Sequence, residues 1–153
     1  MKVSTKARYG LRGLFDIAFH NHGEATHVKD IARRQQVTPR YLEQIFQSLR
    51  REGVLASQRG RRGGYRLARP PEQISVGDVV RATEGPIELE GSGEGVPGGV
   101  ATSSRDLVTL AWAELGAQIE GLLDQVTLAD LIRRGEEEGL PRGEAEAPLM
   151  YFI

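Results

Sequence analysis

Residues 38 to 53, TPRYLEQIFQSLRREG, leave the chain little freedom. Thr38 is suited to cap a helix, Pro39 to open it and Gly53 to stop it, so both ends are marked. Between them Leu42, Ile45, Phe46 and Leu49 recur at helical spacing and form one apolar stripe. The opposite face carries Arg40, Gln44, Gln47 and Arg51, which no core accepts unpaired. One face must therefore pack on the rest of the domain. The other is free to meet solvent or a partner.

The neighbouring segments say what packs there. STKARYGLRGLFDIAFH places Ala7, Leu11, Leu14, Phe15 and Ala18 at helical spacing, with Ser4 or Thr5 as cap, and NHGEA breaks it. A short second helix is predicted over 28–36, burying Val28, Ile31 and Ala32. After the third helix, GVLASQRG and GYRLARP read as two short strands joined by a glycine-arginine turn. SVGDVVRATEG is a fourth helix, capped by Ser75 and ended by Gly85 and Pro86. The expected fold is mainly α with a small β-hairpin wing: a winged helix-turn-helix over residues 1–87.

The remainder is organised differently. Residues 88–103 are a Gly/Ser-rich linker. A long helix over 104–126 follows, and Thr127 caps a short final one, LADLIRRG, so that 104–134 form a unit. On the long helix Leu107, Val108, Ala111, Trp112, Leu115, Ile119, Leu122, Leu123 and Val126 cover more than one stripe. A helix apolar over so wide a face has two partners, and one of them is often another subunit. Residues 135–153 are an acidic tail that nevertheless ends in PLMYFI.

Charge separates the same regions. The net charge is −1, but eleven basic against three acidic residues lie between positions 29 and 69, and five against sixteen from 70 onward. The basic middle seeks an anion and the acidic remainder repels one. No apolar run reaches the length of a membrane span, and the first residues lack the apolar core of a secretory signal; the expectation is a cytoplasmic protein without a membrane partner. The absence of cysteine excludes disulfides and thiolate-held metal sites. No nucleophile stands beside a base, so no catalytic residue is expected.

Two helices joined near residues 36–38 and followed by a hairpin have the order of a winged helix-turn-helix. In that motif the second helix lies in the DNA major groove with its N-terminal residues nearest the bases. Arg40, Tyr41, Glu43 and Gln44 occupy those positions; arginine can pair with guanine, glutamine with adenine, and Glu43 can accept from cytosine. The stretch SQRGRRGGYRL is then the wing: its glycines permit a tight turn, Arg59 is placed for a minor groove, and Arg61 and Arg62 for phosphates. A phosphate cradle for a small ligand is the weaker reading. No Walker lysine–serine pair follows these glycines, and they precede a strand.

STKARYGLRGLFDIA, YLEQIFQSLRREGVL, RGRRGGYRL and VGDVVRATEGPI resemble the signature blocks of the Rrf2 family of bacterial transcription regulators. They span roughly the first 87 residues, and the long helix with TLADL extends the likeness to Leu131. The resemblance implies a homodimer in which the long helices cross, through Leu107, Ala111, Trp112, Leu115, Ile119 and Leu122. It also implies binding to a pseudo-palindromic double-stranded operator, through Thr38, Pro39, Arg40, Tyr41, Glu43, Gln44, Gln47, Arg51, Arg59, Arg61 and Arg62. Cluster-bearing members place three cysteines in the linker, where this chain has GSGEGVPGGVATSS. No cofactor and no metal is therefore expected; His20, His22 and His27 read as turn or capping residues.

The tail is similar to that of the cluster-free repressors of cysteine metabolism within the family. That likeness gives Tyr151, Phe152 and Ile153 a partner, O-acetylserine sulfhydrylase, whose active site an isoleucine-ended tail can plug. The pattern alone equally allows the tail to fold back on the dimer. Two further functions stay open: a cluster-free regulator answering another redox or metabolite signal, and a dimeric protein-interaction adaptor without DNA, against which the basic middle region argues.

Overall fold

The structure, a computed structural model, describes residues 3–89 and 95–142. Helix α1, Thr5–Asn21, begins where the Ser4 side chain accepts the Ala7 N–H. Helix α2, Val28–Gln35, is closed by Gln36 at φ 54°, so Gln36 is the left-handed cap and not the last helical residue of the expected 28–36. Helix α3, Pro39–Arg51, starts as read from sequence, with the Thr38 side chain accepting the Tyr41 N–H at 3.3 Å. Strands β1, Leu55–Gln58, and β2, Gly64–Leu67, form one antiparallel hairpin with Leu55 opposite Leu67. A 3₁₀ turn at Pro71–Gln73 leads to α4, Val76–Glu84. The chain ends, within its described part, in α5, Ser104–Asp124, and α6, Leu128–Glu137. Both α4 and α6 open with a reciprocal capping box, Ser75 with Asp78 and Thr127 with Asp130.

The core draws on both strands and on every helix except α5. Leu14 and Ile17 of α1, Ile31 of α2, Leu42, Ile45, Phe46 and Leu49 of α3, Leu55, Ile74 and Val79 are buried together. The α3 stripe is buried as its spacing requires, whereas Val28, Leu11 and Phe15 reach the core only as half-buried residues. Close helix approach is what makes α3 fit: a Cβ on Gly13 would lie 2.6 Å from the Phe46 ring.

Two departures from the sequence expectation concern the junction between α5 and α6. Val126 is not part of the long helix. Its carbonyl accepts the Val76 N–H at 2.9 Å, and the Leu128 N–H donates to the Ile74 carbonyl at 2.8 Å. These bonds pair the chain entering α6 with the chain entering α4 and draw Leu128 into the core. Helix α6 packs on α1 and runs three residues into the 135–153 segment read as tail. The linker holds a 3₁₀ turn at Pro97–Gly99 in its described part. Tyr151, Phe152 and Ile153 lie outside the described residues.

Helix α5 is the exception. Gly116 is the one buried residue of its 21. Leu107 and Leu122 are each 62% exposed and Trp112 and Leu115 each 45%. Ala111 is exposed and Ile119 half-buried. No described helix is long and apolar enough to cross a membrane.

Candidate nucleic-acid interface

The α2–α3 pair is held by a buried charge that sequence reading missed. Asp16 of α1 is fully buried, and Arg34 closes on it from α2. Its Nε donates to both carboxylate oxygens at 3.1 and 2.9 Å, and its Nη2 to Oδ1 at 2.6 Å. Gln35 Nε2 adds a bond to Oδ2 at 2.9 Å. A carboxylate out of water needs this full complement of donors. The hydrogen bond from Arg34 also holds its guanidinium more firmly protonated than usual, against the opposing effect of burial. One arginine of the basic middle region is thus neutralised inside the fold. Nothing in the local pattern at Asp16 marks it, because its partners lie 18 and 19 residues away.

On this base α3 turns its polar face outward. Thr38, Pro39, Arg40, Glu43, Gln44, Gln47 and Arg51 are all exposed. Tyr41 differs: it is half-buried, with its ring edge-on to Tyr9 at 6.0 Å, so it offers a partner only part of its side chain. No acidic residue occupies the first turn of α3, which leaves the positive end of the helix uncompensated by its own side chains.

The hairpin is tied to the same unit from both sides. Thr26, just before α2, exchanges backbone hydrogen bonds with Tyr65 of β2, both at 2.9 Å. Gly64, at φ 137°, passes so close that a Cβ would run into the Thr26 carbonyl; a Cβ on Gly63 would meet the Gln58 carbonyl. His27 Nε2 lies 3.2 Å from the Arg61 carbonyl oxygen, and Arg50 of α3 donates to the Ser57 hydroxyl of β1 at 3.3 Å. The Tyr65 ring meets Phe46 at 5.0 Å, and burial, reinforced by Glu43, pushes its phenol pKa up. Arg59, Arg61 and Arg62 all stand exposed on the turn that these contacts fix.

A second ionic cluster joins α4 to α5. Arg81 donates to Glu120 Oε1 at 2.8 Å, to Asp124 Oδ1 at 2.7 Å and to Asp78 Oδ1 at 3.2 Å. Ser75 adds a hydroxyl to Asp124 at 3.1 Å. The Arg81 hydrogen bond holds the Asp124 carboxyl below its ordinary range, and the same contact raises Arg81. Gly77 leaves the room: a Cβ there would strike the Asp124 carboxylate.

A polar-faced helix beside an arginine-tipped hairpin fits a known group of proteins over most of the chain. The sequence model of the Rrf2 family, described as iron-dependent transcriptional regulators, matches residues 3–134. This chain belongs to the Rrf2 family. Among relatives, the HTH-type transcriptional regulator IscR of Cereibacter sphaeroides is 38% identical over 136 residues, covering 87% of this chain and 88% of its own. Among solved structures, CymR of B. subtilis, the global cysteine regulator of that organism, is 35% identical with a TM-score of 0.70, covering 88% of this chain and 98% of its own. IscR of T. potens is 37% identical with a TM-score of 0.71 and covers 94% of each. Like its Rrf2 relatives, the protein is a transcriptional regulator and not an enzyme. The winged fold read from the sequence is the Rrf2 fold.

The family description names iron, yet the residues of this Rrf2 chain do not fit a thiolate-held cluster. It contains no cysteine. Among the described residues no three His, Asp or Glu side chains stand together to replace thiolates.

Proposed function

We propose that this Rrf2 protein is a homodimeric repressor that reads a pseudo-palindromic operator. The observation that carries the reading is the uncovered polar face of α3 with the arginine wing fixed beside it. In this reading residues 1–87 bind DNA, 88–103 connect, and 104–134 dimerise, with α6 also anchoring to the DNA-binding core. Arg40 and Gln44 contact base edges, with Glu43 and Gln47 beside them in the groove. Thr38, Pro39 and Tyr41 place the helix start, while Arg51 meets the backbone. Arg59 enters the minor groove, and Arg61 and Arg62 bind phosphates.

The dimer is supported by α5. Leu107, Ala111, Trp112, Leu115, Ile119 and Leu122 form an apolar surface larger than scattered exposed residues explain. Copies paired across a two-fold axis would bury it on both sides at once.

The finer reading assigns the repressor to genes of cysteine and sulfur supply. It is supported by the likeness to CymR and by the absence of cysteine from the chain. Tyr151, Phe152 and Ile153 then bind O-acetylserine sulfhydrylase, and O-acetylserine competes with them. A second reading, a regulator answering a different metabolite or redox signal, draws on the IscR relatives, which are as similar as CymR. Purified sulfhydrylase separates the two. The first expects capture by the full chain, release by O-acetylserine and loss on deleting Ile153, with dimerisation unchanged. Capture that survives the deletion and resists O-acetylserine rules it out.

A further inference from the structure

The first turn of α1 carries Thr5, Lys6 and Arg8, all exposed. Among the described residues neither Lys6 nor Arg8 has a salt-bridge partner, although most other arginines of α2, α4 and α6 are engaged by carboxylates. Two contacts place this turn beside the start of α3. Tyr9, adjacent to Arg8 in the chain, meets Tyr41 edge-on at 6.0 Å. One turn further on, Arg12 donates to the Gln35 side chain at 3.0 Å and to the Gln35 carbonyl at 2.6 Å. Its guanidinium lies 4.9 Å from the Tyr9 ring centre. Gln35 ends α2, so the face of α1 shared by Thr5, Arg8, Tyr9 and Arg12 runs alongside the turn between α2 and α3.

We infer that the first turn of α1, through Thr5 and Arg8 on the face toward α3 and Lys6 at the helix start, forms a third DNA contact, which holds backbone phosphates at the edge of the groove that α3 enters. The inference rests on the DNA-binding reading given above. Helix α3 fills the groove, so a neighbouring helix whose free donors flank its first turn meets the strand at the groove's rim and not the bases. A hydroxyl, an ammonium and a guanidinium are the donors that bind phosphate oxygens. Arg40 of α3 and Arg61 and Arg62 of the wing are likewise exposed and without a salt-bridge partner among the described residues. Glu84, the acid beside this turn, is engaged by the Ser4 N–H at 2.9 Å. Tyr9 and Arg12 act as positioning residues, fixing the turn against the α2–α3 unit.

The test uses the full-length protein and a duplex that it selects from a random-sequence pool, with an unselected duplex for comparison. Binding is followed by anisotropy between about 50 and 200 mM salt, where each bound phosphate adds about 0.9 to the magnitude of the negative slope of log affinity against log salt. Lys6→Ala with Arg8→Ala should weaken both duplexes alike and lower that magnitude by about 0.9 for each phosphate no longer bound. Lys6→Arg with Arg8→Lys, which keeps both charges, should restore it. Arg40→Ala should change the preference between duplexes and leave the contribution of α1 intact. A double alanine variant that folds as the wild type does, with an unaltered slope on both duplexes, overturns the inference and spares the DNA-binding reading. Wild-type protein with no salt-dependent affinity for either duplex overturns both.

Discussion

The α2–α3 unit and helix α5 are built from similar numbers of large apolar residues, but they use them in opposite directions. In α3 the stripe of Leu42, Ile45, Phe46 and Leu49 is buried and the polar face is free. In α5 only Gly116 is buried, and Leu107, Val108, Trp112, Leu115 and Leu122 face outward. A helix that has satisfied its apolar face within the chain is free to present chemistry on the other side. One that has not is still waiting for its burial. The first arrangement suits recognition of a polar polymer and the second suits assembly with a copy of itself.

The largest effect that would break this contrast is a charge on the outward face of α5. Leu115→Glu with Ile119→Glu should leave each chain folded, since the shared core excludes α5, while removing burial worth about 1.5–3 kcal/mol per large side chain on both copies. Sedimentation should find dimers of the wild type and monomers of the variant, with operator affinity lost along with dimerisation. Unchanged dimers would show that α5 is not the assembly surface.

The next effect tests the inward-facing unit. Asp16→Ala leaves the half-buried Arg34 without its counter-charge and should cost about 3 kcal/mol in urea unfolding, the low end for a broken buried pair. Replacing both, Asp16→Leu with Arg34→Met, should recover most of that loss. If the single and double variants are equally stable, the pair does not hold α2 in place.

How much of this was legible beforehand follows from the range of each signal. The α3 helix was readable because its cap, its stripe and its stop lie within sixteen consecutive residues. The wing was readable because glycine and arginine alternate where a hairpin should turn. The Asp16–Arg34 pair was not, since it joins two helices and neither residue departs from an ordinary surface pattern. Proximity in the chain groups helix α6 with α5, whereas the backbone bonds of Val76 and Leu128 assign its first residue to the core. The half-burial of Tyr41 depended on Tyr9, 32 positions earlier. Gln36 in a left-handed cap was concealed because glycine is the usual signal there.

A smaller effect separates base reading from backbone contact within the interface. Gln44→Ala should cost about 1–3 kcal/mol on the selected duplex and little on an unselected one. Arg61→Ala should weaken both and flatten the salt dependence. Equal loss of specificity from both would mean that α3 and the wing have exchanged roles.

The smallest effect lies at the junction between the two regions, where Arg81 bridges α4 to Glu120 and Asp124. Asp124 is held below its ordinary pKa of 3.8 by the Arg81 hydrogen bond, so its contribution is complete at neutral pH. It should decline as the pH falls through 3.8 and vanish once Asp124 protonates in the folded state. The pair is partly exposed, so the change should stay within about 1 kcal/mol. Asp124→Asn should remove this part of the acid dependence; an unaltered acid profile would locate the sensitivity elsewhere.

The proposed contrast between a helix that faces DNA and a helix that faces its own copy is tested most directly by the sites the protein selects from a random-sequence duplex pool. The wild type should enrich a dyad-symmetric motif, its half-sites about one helical turn or a small multiple apart. The variant carrying Arg40→Ala and Gln44→Ala should lose base preference within each half-site while keeping their spacing. Enrichment of a single, non-repeated motif, or an identical motif from the variant, would contradict the account.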